Sequence, residues 1–304
     1  MTPRVSVVVA TRNRRALLAR ALASIDAQTL REREIIIVDD ASTDGTATWM
    51  AAARPQDRLV ALATPRGAAA ARNRGIALAR GAIVAFLDDD DAWLPRYLAV
   101  QVAQLDADPQ AEAATTGHVE VDAAGRIALP DLRPPFAVDD TRVRMLAGCP
   151  IHTLSVFACR RAALARIGAF DETLEVVHDL DWYLRLLLAN GRIVSDPRPL
   201  AERTLPGGLV MRHRTWHAEE HALRERVFAA AKLAPNDERR IRAARALIFA
   251  RIGCARGDRS FALARLGEAL AAAPLSTLRI AGARLLRRRQ RDALPAWSTG
   301  AAIR

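Results

Sequence analysis

From Val5 to Ala10 the chain is a continuous run of β-branched and small apolar residues that stops at Thr11-Arg12-Asn13. Residues 14–27 then place Leu18, Ala21, Leu22 and Ile25 on one helical face. The pattern reads strand, loop, helix. EIIIV (34–38) is a second apolar run, ending in DDASTDGT, and RLVALA (58–63) reads as a third strand. An Ala/Arg helix over 68–80 leads into AIVAFL (82–87), which runs straight into four aspartates, Asp88 to Asp91. Apolar runs with no polar face, alternating with helices, predict a sheet covered on both sides. The expected fold class is therefore α/β: a doubly wound, mostly parallel sheet with helices on both faces.

After residue 110 the pattern loosens. AEAATTGHVEV (111–121), with a turn at Ala124-Gly125, predicts a strand and hairpin, and DLRPPF (131–136) reads as a surface excursion. HDLDWYLRLLL (178–188) is the clearest helix, with Leu180, Tyr183, Leu184, Leu187 and Leu188 on its buried face. Beyond about residue 215 the chain reads as helical. Residues 245–274 give two helical patterns broken at Gly257-Asp258 and closed by Pro274. One such copy is an ordinary helical hairpin, since tetratricopeptide-like repeats need about three to be stable. The expected division is a catalytic α/β domain over 1–214 and a basic helical region over 215–304.

Composition narrows the function. The 304 residues are 51% hydrophobic and 26% charged, which is globular and excludes disorder. Three cysteines form no CxxC pair and cannot all be disulfide-bonded, and the N-terminal apolar run is too short for a signal peptide. No run reaches the roughly 20 apolar residues of a membrane span. These features predict a cytoplasmic protein. The net charge of +11 is uneven: residues 1–211 carry 25 Arg against 26 Asp and Glu, whereas 212–304 carry 20 basic residues against 8 acidic ones, a net of +12. Within that excess, Arg284, Arg287, Arg288, Arg289 and Arg291 follow a helical run containing Leu278 and Ile280. Residues 278–304 are thus a candidate for peripheral contact with an anionic membrane surface.

Candidate chemistry gathers where strands end. Open parallel sheets bind ligands outside the carboxyl ends of their strands, and Thr11-Arg12-Asn13, Asp39-Asp40 and Asp88 to Asp91 end three of them. Four consecutive carboxylates repel one another, and a divalent cation among them removes the conflict. Alternation along extended backbone predicts Asp88 and Asp90 on one side and Asp89 on the other. Asp91 has a competing structural reading as the cap of a helix starting near Leu94-Pro95, and Asp179 has one as the cap of its own helix. Asp181 and Arg185 read as an i,i+4 ion pair, and Trp93 and Trp182 as packing residues.

VSVVVATRNR, IIIVDDASTDGT, GAAAARNRGIALARGAIVAFLDDDDAWLP and GAFDETLEVVHDLDWYLRL, in this order and spacing, resemble the family 2 glycosyltransferases of GT-A fold over about residues 4–190. The resemblance implies inverting transfer of a sugar from a nucleotide diphosphate sugar, with UDP-sugar favoured, and Mg²⁺ or Mn²⁺ as cofactor. It places Ala10, Thr11, Arg12, Asp40, Arg72 and Asp88 around the nucleotide and Asp88 and Asp90 on the metal. The family's base lies in a Glu-Asp pair, which falls on His178-Asp179, so Asp179 is the expected base and His178 a departure from the pattern. His152, His178 and Arg203 are placed on the acceptor side, where a glycan, lipid-linked or other hydroxyl acceptor would bind. The implied setting is cell-surface polysaccharide biosynthesis, on the inner face of the membrane.

Competing classes lack their signatures. Neither GxxxxGK[ST] nor GxGxxG occurs, and the basic third has only scattered aromatics, so no nucleic-acid partner is expected. The remaining alternative is a catalytically weak or inactive GT-A-like scaffold that binds partners through its helical C-terminus.

Overall fold

The computed structural model describes residues 2–121, 127–128, 145–146, 149, 151–204, 213–231 and 233–274. Two compact units emerge, one within residues 1–130 and 151–206, the other within 131–150 and 207–304.

In the first unit β1 (Val5–Thr11), β2 (Arg33–Asp39), β3 (Arg58–Ala61) and β4 (Ile83–Asp88) lie parallel in the order β3-β2-β1-β4. Helices α1 (Arg15–Asp26), α2 (Thr46–Ala53) and α3 (Ala68–Leu78) connect them. The apolar runs are the core: Val7, Val8, Val9, Ile36, Ile37, Val84 and Phe86 are buried, each contributing about 1.5–3 kcal/mol by leaving water. α1 buries Leu18, Ala21, Leu22 and Ile25, the face its periodicity indicates. α3 approaches β1 so closely at Gly75 that a β-carbon there would come 2.4 Å from Val8 Cγ1. Register then aligns the strand ends, with Thr11 beside Asp39 and Ala10 beside Asp88.

Beyond β4 the sheet becomes mixed. β5 (Ala92–Trp93), α4 (Tyr97–Ala107), β6 (Ala111–Val121), β7 (Ile127–Ala128), β8 (Phe157–Arg160), α5 (Arg161–Ile167), α6 (His178–Leu188) and β9 (Arg192–Thr204) follow in sequence. β8 runs antiparallel to β4 and β6, β9 parallel to β6, and β5 antiparallel to β9. β6 pairs with β7 as a hairpin would, while its turn at Ala124-Gly125 and the stretch 131–136 lie outside the described residues. The helix expected near Leu94 starts at Tyr97 instead, because Ala92-Trp93 pairs with β9.

The second unit contains α7 (His213–Ala231), α8 (Pro235–Ala255) and α9 (Arg259–Ala272). α8 and α9 make the expected hairpin: Gly257 takes φ +70° at the break, and Asp258 caps α9 by accepting from Phe261 N at 3.3 Å. Glu220 is buried between Arg224 and Arg245, with contacts of 2.9 and 2.6 Å. The basic segment 278–304 lies outside the described residues. No helix among the described residues is long and apolar enough to cross a membrane.

Candidate active site

The loops after β1 and β2 are stitched together. Asn13, at φ +52°, donates its N–H to Ser42 Oγ at 2.8 Å and accepts from Thr43 N at 2.6 Å. Ala41 next to Asp40 also holds a left-handed φ of +57°, which costs an L-residue on the order of 1 kcal/mol and is kept by the surrounding contacts. Asp40 is buried, and its two oxygens accept from Arg66 N at 2.6 Å and Gly67 N at 3.0 Å, which fixes the entry to α3. Arg12 is exposed beside these loops.

The acidic run after β4 is a turn, closed by the Asp91 N–H donating to Asp88 O at 3.1 Å. Strand alternation therefore ends at Asp88. Asp89 is buried and accepts from the Thr11 hydroxyl at 2.7 Å, and Arg14 reaches both Asp89 and Asp90 at 3.0 Å. Asp91 caps no helix; it is buried, accepting from the Thr153 hydroxyl and Thr204 N at 2.9 Å each. Asp88 accepts from Arg72 at 2.5 Å and from the Thr153 hydroxyl at 3.2 Å.

Charge in this turn is under-compensated. Burial, then the neighbouring Asp88 and Asp89, push Asp90 up to about 6 from the ordinary 3.8. Burial, then Asp88, push Asp91 up to about 7. Burial raises Asp89 as well, against the pull of Thr11 and Arg14. Among the described residues Arg14 and Arg72 pair with carboxylates of this turn while Arg20 reaches only the Asp90 carbonyl, and an all-oxygen donor set with spare negative charge fits a hard cation such as Mg²⁺ or Mn²⁺.

α3 and α6 close the other side. Arg72, on α3 and with its side chain 12% exposed, donates to Asp88 and lies 2.5 Å from His178 Nε2. Burial, then the Arg72 charge, hold His178 down to about 3, so it is a neutral imidazole that accepts from Arg72. Its proton is then on Nδ1, a buried atom without a hydrogen-bond partner among the described residues. Asp179 follows in the first turn of α6; the cap position belongs to Val177, so Asp179 is not the N-cap. It accepts from Leu180 N at 2.7 Å. Burial raises Asp179 to about 6, with Arg72 pulling down and Asp88 pushing up, so it shares one electrostatic neighbourhood with both.

His152 is exposed beside Thr153, and Arg203 donates to Glu120 at 2.9 Å. Trp93 donates to Ser155 O at 2.7 Å and stacks on Tyr97, while buried Trp182 donates to Gly168 O at 2.9 Å, so both pack. Asp181 pairs with Arg185 at 2.7 Å. Sequence reasoning missed Arg14, Thr153 and Thr204, the groups that tie the acidic turn to the rest of the unit. Only the second Arg of TRNR carried a signal; Thr153 and Thr204 reach the turn through β8 and β9, which no local pattern announces.

A parallel half-sheet whose carboxyl ends gather an acidic turn and a partly buried arginine, extended by a mixed half, is the GT-A architecture. Residues 6–168 match the family model described as Glycosyl transferase family 2, more than half of the chain, and the protein belongs to that family. Among relatives, it is 42% identical over 106 residues to the succinoglycan biosynthesis protein ExoO of Rhizobium meliloti (strain 1021), covering 34% of this chain and 30% of that one. It is 36% identical over 101 residues to WfaP of Escherichia coli, a UDP-Glc:alpha-D-GlcNAc-diphosphoundecaprenol beta-1,3-glucosyltransferase, covering 32% of this chain and 39% of that one. The chain thus matches well under half the length of these curated relatives. The mannosyltransferase PcManGT from Pyrobaculum calidifontis, solved with GDP-Man and Mn2+, superposes with a TM-score of 0.60 at 26% identity, covering 94% of this chain and 81% of that one.

Proposed function

We propose that the protein is an inverting glycosyltransferase that moves a sugar from a nucleotide diphosphate sugar to an acceptor hydroxyl. Ala10, Thr11, Arg12 and Asp40 line the nucleotide, with Arg72 beside it. Asp88 and Asp90 hold Mg²⁺ or Mn²⁺, which when bound stabilises the charge developing on the leaving phosphate. Asp179, with its carboxylate raised toward neutral pH, takes the proton of the attacking hydroxyl. One base and one displacement, with no covalent intermediate, invert the anomeric centre. His178 positions Arg72 as a neutral acceptor, and His152 and Arg203 flank the acceptor. UDP-sugar is the favoured donor and a glycan or lipid-linked acceptor the favoured partner, in keeping with the names of ExoO and WfaP.

The observation that carries this reading is the arrangement around Arg72, which links the acidic turn to the start of α6 and lies in the field of Asp179. The net of +12 over residues 212–304 supports peripheral attachment to the cytoplasmic face of the membrane through 278–304. Donor turnover with Mn²⁺, followed by proton NMR of the first-formed product, tests the reaction: an anomer opposite to that of the donor is expected. Retention of configuration contradicts the single displacement, and metal-independent binding without turnover returns the protein to the scaffold alternative.

A further inference from the structure

Among the described residues, one set of three His and carboxylate side chains brings its ligand atoms together, and it lies outside the acidic turn. His118 and Glu120 stand two residues apart on β6, so their side chains leave the same face of the strand. His152 joins them, and one ligand atom from each of the three lies within 4.8 Å of the others. The two imidazoles face each other with ring centroids 5.8 Å apart and planes tilted by 55°.

Three features make this a built site. His118 is 3% exposed, yet among the described residues its Nε2 has no hydrogen-bond partner. A buried ring nitrogen left without a partner carries a desolvation cost, which a ligand at that atom recovers. Glu120 is held by Arg203 at its Oε1, 2.9 Å away, which orients the carboxylate toward the imidazoles and leaves lone pairs for an ion. His152 is exposed and gives solvent access.

We propose that His118, His152 and Glu120 bind a transition-metal ion of the Zn²⁺ class, at a site separate from the acidic turn. Two imidazoles and one carboxylate suit Zn²⁺, whereas the all-carboxylate turn suits Mg²⁺ or Mn²⁺. Three protein ligands leave a fourth position for water or an acceptor hydroxyl. Ligand atoms about 2.0–2.2 Å from a tetrahedral ion lie roughly 3.3–3.6 Å apart, so separations within 4.8 Å need shorten by at most about 1.5 Å. Rotation of the exposed His152 and the partly exposed Glu120 supplies that movement without disturbing β6. The Arg203 charge keeps the affinity below that of a purely structural zinc site. The inference rests on this geometry alone and stands whether or not sugar transfer is the reaction.

The test uses the untagged full chain with excess Mg²⁺ present to occupy the acidic turn. Equilibrium dialysis with Zn²⁺ reads stoichiometry, and Co²⁺ absorption reads the ligands, since nitrogen-ligated four- or five-coordinate Co²⁺ gives intense visible bands. One equivalent of Zn²⁺ and such bands are expected for the wild type and for Asp90→Asn. His152→Ala, at an exposed position, and Glu120→Gln are each expected to weaken binding by at least about tenfold with an unchanged circular dichroism spectrum. His118→Gln should abolish the bands. Absence of Zn²⁺ uptake, uptake equal in His152→Ala and wild type, or loss only in Asp90→Asn overturns the proposal.

Discussion

Two regions of this molecule bury charge, and they do so in opposite ways. In the helical unit Glu220 is fully enclosed, and although burial alone would raise its carboxyl, Arg224 and Arg245 hold it below the ordinary value. Both of its oxygens are taken, by contacts of 2.6 and 2.7 Å from Arg245 and 2.9 Å from Arg224. In the turn after β4, burial wins: Asp90 and Asp91 rise to about 6 and 7 in spite of Arg14 and the Thr153 hydroxyl. In the helical unit the carboxylate is fully paired, although burial lowers Arg224 to about 10 and its Nη1 has no hydrogen-bond partner among the described residues, whereas the acidic turn keeps uncompensated negative charge of the kind a divalent cation neutralises. The contrast lies in how far the carboxylates are paired, which residue types alone, acidic and basic in both, do not show.

The largest expected effect falls on the rate. Asp179→Asn preserves shape and keeps the acceptor for Leu180 N, so stability and donor affinity should hold while turnover drops about 10²–10⁴-fold, measured by steady-state kinetics. Near-normal turnover in a folded variant would return Asp179 to a structural role. Next comes stability, where the two charged regions should part company. Glu220→Gln strands two guanidiniums and should cost about 3–5 kcal/mol in urea unfolding. Asp90→Asn relieves repulsion and should leave the metal-free protein as stable or more so. Equal losses in the two variants would break the comparison.

Smaller still is the effect of Thr153→Val, which removes the hydroxyl shared by Asp88 and Asp91. Metal-dependent nucleotide affinity should fall about 10–100-fold, read by calorimetry. The smallest effect is the pH dependence. Asp90, Asp91 and Asp179 have folded-state values raised to between about 6 and 7 from 3.8, so their contribution to stability is full below about pH 4 and is lost as pH rises through 6 to 7. The metal-free protein should therefore melt lower at pH 8 than at pH 5. Added Mn²⁺ should restore more at pH 8, a difference on the order of 1–2 kcal/mol in thermal scans.

The parallel half of the sheet was legible because its strands are buried on both faces and so read as unbroken apolar runs. β9 was not. Its sequence, RIVSDPRPLAERT, has two prolines and a mostly half-buried pattern without regular alternation, and it exists by pairing with β6 across bulges at Thr116 and Gly117. The same holds for the site. Asp88, Arg72, His178 and Asp179 lie within recognisable motifs and do converge. Asp40 is less direct than its motif implies, since both of its oxygens brace the backbone at Arg66 and Gly67. Alternation predicts Asp89 opposite Asp90, yet one nitrogen of Arg14 reaches both, because these residues form a turn and not a strand.

The central claim is that the acidic turn holds a divalent cation that carries the diphosphate. Calorimetric titration of UDP and GDP into the wild type and Asp90→Ala, with Mn²⁺ and again with chelator, tests it most directly. The account predicts binding of at least one nucleotide to the wild type with Mn²⁺, and its loss both on chelation and in the folded variant. Affinity that survives chelator, or that is unchanged in Asp90→Ala, would contradict it.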